Sequence, residues 1–352
     1  LTYSDATSQT VISENSRFTS KLFLFAFVLI FSLFGVLAIE TYLSLVILSL
    51  ILFFVIYFRV IEFKFLLPNG LLLLRILKEF FYYVKPLILF TFISIFFIYF
   101  GKYTLQFTSG STEQGYFGFA FQIAMLPVTV ISPIMPIIMQ EIIEKFKEDN
   151  ILELKSIFAD RFFKMLPLYS LATIFIFFNS EEIILFTAGE DFLGAKISLQ
   201  ILTIYSFLNI FVLFNSAIHL STQRNKEYGI ISSLAFLAGC LCLAYLFSYH
   251  TLDASGLAKI LVATCFFQSF CLLAANVKFL HIKKLDFFIQ IISINVILFL
   301  MIFLIHSLNL HILLNFFMTF LAALALNFIF HDHLGFYNIY KSIAGKHTGE
   351  KF

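Results

Sequence analysis

Three lysines stand apart in this chain. Lys102, Lys196 and Lys259 sit at one set of ends of long apolar runs, while every other Lys and Arg falls in the alternate loops or the tails. An ammonium at such a place has two uses. It can hold a phosphate in a wet cavity, because an anion is far less costly to desolvate against a cation. It can also lay its stem along the helix and reach the lipid head groups. Lys102 is the first candidate for the binding role by position; Lys259 lies within its run and Lys196 at a rim. The runs also contain the amides Gln106, Gln122, Asn209, Asn215, Gln268, Asn276, Asn295 and Asn327. An amide there bonds either a sugar hydroxyl or a neighbouring helix. Gln122, Asn209 and Gln268 are nearest mid-run, so with Lys102 and Lys259 they form the candidate substrate-binding set.

Other chemistries lack their residues. There is no Ser/His/Asp arrangement, no P-loop and no GxGxxG, so no catalytic residue, cofactor or nucleotide hydrolysis is expected. His331 and His333 are two apart and fall on different helix faces, a poor metal site. Cys240, Cys242, Cys265 and Cys271 lie inside apolar runs without zinc spacing and read as small packing residues. No stretch is basic and aromatic as a nucleic-acid surface is. The acids Glu40, Glu113, Glu181, Glu182, Glu190, Asp191 and Asp253 share the side of the three lysines; Asp253, six residues before Lys259, is either its local partner or a solvated loop charge.

The elements that must position these residues are membrane helices. The chain has 352 residues, 61% hydrophobic and 12% charged, with 51 Phe and no Trp. Its mean hydropathy is +0.97. A soluble chain carries about a quarter charged residues. Apolar runs at 22–39, 42–61, 86–106, 116–141, 165–180, 197–220, 229–249, 256–279, 287–306 and 311–331 are each of a length to cross a bilayer as a helix. Since short cation-rich loops stay in the cytoplasm, the one-sided Lys and Arg put both termini inside. The fold class expected is therefore an all-α polytopic membrane protein of about ten transmembrane helices. Segments 62–85 and 142–164 mix Lys, Glu, Leu and Phe at helical spacing, which predicts amphipathic surface helices. Ile183 to Phe186 predict a short interfacial helix. Pro127, Pro133 and Pro136 predict a bent or broken fourth span, either a fixed kink or a hinge. Residues 1–20 are polar, without the basic and apolar regions of a signal peptide.

From Leu77 onward the chain resembles a known family. Leu77-Lys78-Glu79-Phe80 leading to Lys85-Pro86-Leu87, then Gly101-Lys102, Gly115-Tyr116-Phe117-Gly118-Phe119-Ala120, Ser132-Pro133-Ile134-Met135-Pro136, Leu185-Phe186-Thr187-Ala188-Gly189 with Asp191-Phe192 and Ala195, Leu199 to Leu202 and Asn215 to Arg224 follow one another as in polysaccharide flippases of O-antigen type. These belong to the multidrug/oligosaccharidyl-lipid/polysaccharide exporter superfamily. The resemblance covers roughly residues 75 to 280; order and spacing carry it, as no single motif is specific. Gly101 stands where many members have an acid, so a coupling role for that acid does not transfer.

The resemblance implies two helical lobes around a central cavity. Residues 21–61 would end the first lobe, 62–85 link the lobes, 86–280 form the second six-helix lobe, 281–331 add a helix pair and 332–352 form a cytoplasmic tail. It also implies four further apolar helices encoded ahead of Leu1. The activity it implies is flipping of an isoprenoid-diphosphate-linked oligosaccharide across a bacterial cytoplasmic membrane by alternating access. Partners would be membrane lipid and that lipid-linked oligosaccharide, together with a glycan polymerase and glycosyltransferases. Two alternatives stay open. A membrane glycan polymerase or ligase needs catalytic groups in a sizeable external loop, and the external loops are short. A multidrug exporter pairs a mid-span acid with cationic drugs, and no acid lies mid-span.

Overall fold

The computed structural model describes residues 39–60, 70–249, 252–282 and 284–307, with scattered positions between 19 and 31. Predicted segment 1–20 falls almost wholly, and span 22–39 for the larger part, outside these residues; span 311–331, the tail 332–352 and the His331/His333 pair fall wholly outside. The described residues are helical almost throughout, with no strand among them. Two compact units are present, Leu1–Glu79 and Phe80–Phe352. In the first, α1 (Ile39–Val60) exposes Leu43, Ile47, Leu50, Ile51 and Phe54, as a helix meant for an apolar surrounding does.

The second unit is a bundle. Helix α2 (Gly70–Ala124) is interrupted at Gly110, whose φ of 85° and ψ of 179° suit glycine alone. The chain turns back there. Lys102 and Phe121 border the same cleft, though a straight helix would hold them about 28 Å apart. The reversal falls inside the predicted loop 107–115. After Met125 come α3 (Leu126–Ile131), a 3-10 turn (Ser132–Ile134) and α4 (Met135–Lys147), each with a proline in its first two positions. A proline there lacks an N–H that has no helical acceptor anyway. Pro127, Pro133 and Pro136 thus divide the fourth predicted span, and the expected local break is present.

Helices α5 (Ile151–Phe178), α6 (Ser180–Thr187), α7 (Lys196–Ser221), α8 (Asn225–Ser248), α9 (Ala254–Phe279) and α10 (Lys284–Ser307) follow, with a 3-10 turn at Glu190–Ala195. The short α6 covers Ile183 to Phe186, where the sequence predicts a short helix. Segment 142–164 is largely helical, and α5 starts at Ile151 because the Asn150 side chain accepts from Glu153 N at 3.1 Å. Likewise α2 runs from Gly70 through the predicted linker without a break before Lys85.

The loops sort to two ends. At one, Thr108 and Ser109 donate to the Leu252 carbonyl at 3.0 and 2.5 Å, Glu113 accepts from Ala254 N at 3.0 Å, and Tyr116 donates to Asp191 O at 3.1 Å. At the other, Tyr83 donates to Leu220 O at 3.4 Å, Ser221 to Met139 O at 3.2 Å, and Arg161 grips Glu141 with two bonds of 2.9 and 3.0 Å. The second end contains the cation-rich loops; the first contains Lys102, Lys196 and Lys259.

Polarity is arranged for a lipid surround. Phe92, Tyr99, Phe107, Leu241, Phe266 and Phe270 face outward, whereas Ser170, Thr173, Ser206, Ser232, Gln268 and Asn276 are buried. Hydrocarbon offers polar groups no partner, so they turn to other helices. Close approach of the helices uses glycine: a Cβ at Gly239 would lie 2.6 Å from Thr264 Oγ1, and one at Gly229 would lie 2.6 Å from the Pro86 carbonyl. Helical stretches Leu74–Lys147, Ile151–Phe178, Glu190–Ser221, Asn225–Ser248 and Ala254–Phe279 are each long and apolar enough to cross a membrane. By these properties the described residues are those of an all-helical membrane protein.

Candidate functional site

Lys102 lies half-buried on α2, eight residues before the turn at Gly110. It borders a cleft whose walls are Phe97, Phe117, Phe121, Tyr205, Leu257 and Leu261. The two arms of α2 bring in the phenylalanines, α7 brings Tyr205 and α9 brings the leucines. Gly101 lies close against α9, where a Cβ would sit 2.9 Å from Leu257 Cδ1 and push that side chain aside. Among the described residues the Lys102 ammonium has no hydrogen-bond or ion-pair partner. By contrast Lys196 pairs with Glu181, and at the cation-rich end Lys145 pairs with Glu148 and Glu153 and Lys164 with Asp160. The free space at the cleft is about 20 Å³, room for about one water. A sugar does not enter the cleft in this conformation.

The other predicted site residues scatter around it. Asn209 is half-buried and donates to Tyr205 O at 2.9 Å, which places it one turn along α7 from the cleft wall. Gln122 is exposed, beside the wall residue Phe121. Lys259 is exposed too; Leu257 and Leu261, four apart, share the cleft-facing side of α9, and a residue two positions from each points about 200° away. Gln268 is buried and donates to Ser232 Oγ at 2.9 Å, a bond that ties α9 to α8. The structure therefore joins Lys102 to the vicinity of Asn209, turns Lys259 to another face, and leaves Gln268 about two turns beyond Leu261, engaged by Ser232. Asp253 serves as the N-cap of α9, accepting from Gly256 N at 2.7 Å and Ser255 Oγ at 2.9 Å. No ion pair between Asp253 and Lys259 is present among the described residues.

A second polar group lies at the cation-rich end, where sequence inspection named Asn215 and Asn276 among the amides but put neither in the candidate binding set. Arg224, at the start of α8, holds Glu227 through two nitrogens, donates to Asn276 Oδ1 at 3.1 Å and to Ala275 O at 3.4 Å, and lies 4.5 Å over the Phe279 ring. Asn276 donates to both the Asn215 carbonyl and its Oδ1, at 3.0 and 2.9 Å. His219, wholly buried one turn after Asn215, has a ring nitrogen 2.8 Å from the Asn215 carbonyl. The sequence does show these polar residues at the ends of apolar helices, but contacts across 52 and 61 positions depend on how α7, α8 and α9 pack.

Comparison of the chain with protein-family models, with curated proteins and with solved structures finds no match.

Proposed function

We propose that the protein is a transporter that moves an isoprenoid-diphosphate-linked oligosaccharide from the inner to the outer leaflet of a bacterial cytoplasmic membrane, its termini lying inside. One observation carries this reading: Lys102 is a cation among aromatic walls at the cation-poor end, with no acid beside it among the described residues. A diphosphate entering the bundle would supply the missing counter-charge, and a charge-assisted hydrogen bond contributes about 1.5–3 kcal/mol. Asn209 and Gln122, close to the cleft walls, are placed to meet sugar hydroxyls once it widens. The broken helix around Pro127, Pro133 and Pro136 supplies a place where the bundle can flex. The order of motifs from Leu77 to Arg224, similar to that of polysaccharide flippases, points the same way. In this scheme the cleft of about 20 Å³ belongs to a closed state, and alternating access opens it to one face at a time. No bond is made or broken; a polymerase and glycosyltransferases would act before and after.

The test is complementation in a strain whose lipid-linked repeat unit is trapped inside, with membrane levels of each variant measured. Lys102→Ala is expected to lower surface glycan by about tenfold or more, the loss of one charge-assisted bond to phosphate. Lys102→Arg is expected to retain most of it. Unchanged surface glycan in Lys102→Ala at normal protein level would remove Lys102 from the mechanism.

A further inference from the structure

His219 is the most enclosed titratable group at the cation-rich end of the bundle, and its two nitrogens are treated differently. Nδ1 lies 2.8 Å from the Asn215 carbonyl. A carbonyl only accepts, so Nδ1 carries the proton and Nε2 presents a lone pair. Nε2 is buried and has no hydrogen-bond partner. The nearest group of complementary charge is Glu227 Oε2, 4.0 Å away, beyond hydrogen-bond length. The His219 side chain is 0% exposed whereas that of Glu227 is 42% exposed, so the carboxylate stands between the buried ring and solvent. The same oxygen accepts from Arg224 Nε at 2.8 Å and from its Nη2.

We infer that His219 is a proton-binding site, and that a proton on Nε2 competes with Arg224 for the Glu227 carboxylate and so unlocks the α7–α8–α9 contact at this end. The proton comes from water by way of Glu227, adds to the Nε2 lone pair and raises the charge of the His219–Arg224–Glu227 group from zero to +1. An imidazolium without an acceptor is not tolerated in a dry site. Glu227 therefore turns from Arg224 to His219, or the helices part to admit water. The first event leaves a cation that is largely sheltered, its side chain 19% exposed, without its carboxylate; the second opens the contact directly. Arg224 then gains by reaching water and gives up Asn276 and Ala275, bonds by which α8 holds α9 at this end. The described conformation is the proton-free, locked one. Arg224 and Glu227 are the charged groups whose fields reach the ring. Asn215 on its own helix and Tyr228 of α8, whose ring centre is 6.3 Å away, are neutral; Asn276 of α9 bonds Asn215, and Tyr83 of α2 bonds the adjoining Leu220. Helix α5 also packs on α7, and its charged groups are engaged, Arg161 with Glu141 of α4 and Lys164 with Asp160. From α4 the nearby contact is the Met139 carbonyl, which accepts from Ser221. The inference holds whatever cargo the protein carries.

Hydrogen exchange of the full chain in lipid nanodiscs tests it, corrected for the intrinsic effect of pH on amide exchange. Peptides spanning 215–228 and 273–282 are compared at about pH 8 and about pH 5.5, on either side of the ordinary histidine range. The wild type is expected to exchange about tenfold faster in these segments at the lower pH, the size of a modest two-state shift. His219→Gln is expected to exchange slowly at both. Glu227→Gln, which removes the lock and keeps the ring, is expected to exchange fast at both. Equal corrected rates in the wild type, a pH response retained by His219→Gln, or slow exchange in Glu227→Gln would each overturn the proposal. If His219→Gln fails to fold, the wild type and Glu227→Gln decide.

Discussion

Asn276 sits where three helices meet. Its amide nitrogen serves Asn215 of α7, and its oxygen accepts from Arg224 of α8 while its own backbone belongs to α9. Removing it strands the buried Asn215 Oδ1 and takes one acceptor from the sheltered Arg224, and an unsatisfied buried polar group costs about 1–3 kcal/mol. Asn276→Ala is therefore expected to lower the stability of the protein in mild detergent by about 1–3 kcal/mol, read from thermal unfolding. Combined with Asn215→Ala the loss should be smaller than the sum of the single losses, because both mutations remove the bond from Asn276 to Asn215 Oδ1; strictly additive losses would show that the two side chains do not interact. Lys102 and Lys259 illustrate what residue type alone left open. Both are lysines near the cation-poor end, yet the register of α9 presents Leu257 and Leu261 to the cleft and turns Lys259 outward. Gln268, named for its mid-span place, is engaged by Ser232 as a helix-to-helix bond, the other role open to a membrane amide.

Gly110 determines the element-scale geometry of the cleft. Without a reversal there, Phe117 and Phe121 would not face Phe97 and Lys102. No heavy atom lies within 4 Å of a Cβ built on Gly110, so a side chain would meet no clash and only backbone strain. Gly110→Ala is expected to destabilise the protein by about 1–3 kcal/mol, the strain of a non-glycine residue in that backbone region. Gly115→Ala, with open space and ordinary backbone at its position, is the control and should change thermal unfolding little. Equal effects of the two would show that the turn at Gly110 is not what the chain needs. Much at this scale was legible beforehand. The prolines announced the break before Met135, and the spacing at 107–115 announced the reversal. The start of α5 was written in Asn150 and Glu153, three apart, a helix-start signature that hydropathy alone passes over. Hydropathy put the start of that span near residue 165 because it sees apolar content, not the paired charges of Arg161 with Glu141 and Lys164 with Asp160 that solvate the first turns.

The whole molecule is organised by charge and by an inverted polarity. Among the described residues of the second unit, Lys145, Arg161, Lys164 and Arg224 pair with acids at one end, polar side chains turn inward, and large apolar side chains turn out. The first two features follow from sequence pattern, since the loops that alternate in charge come together by end. The polar group of Arg224, Glu227, His219, Asn215 and Asn276 did not follow, because its members lie on three helices whose rotation about their own axes no single-helix pattern specifies. The proposed activity belongs to this largest scale: a helical bundle with a shielded cation carries a lipid-linked diphosphate across the bilayer. The most direct measurement uses vesicles made with the purified protein and a lipid-diphosphate oligosaccharide placed in both leaflets. An impermeant glycosidase outside then reports how much sugar reaches the outer face with time. The account predicts that cleavage continues past the outer-leaflet pool toward completion with the wild type and slows about tenfold with Lys102→Ala. Cleavage that stops at the outer-leaflet pool, as in vesicles without protein, would contradict it.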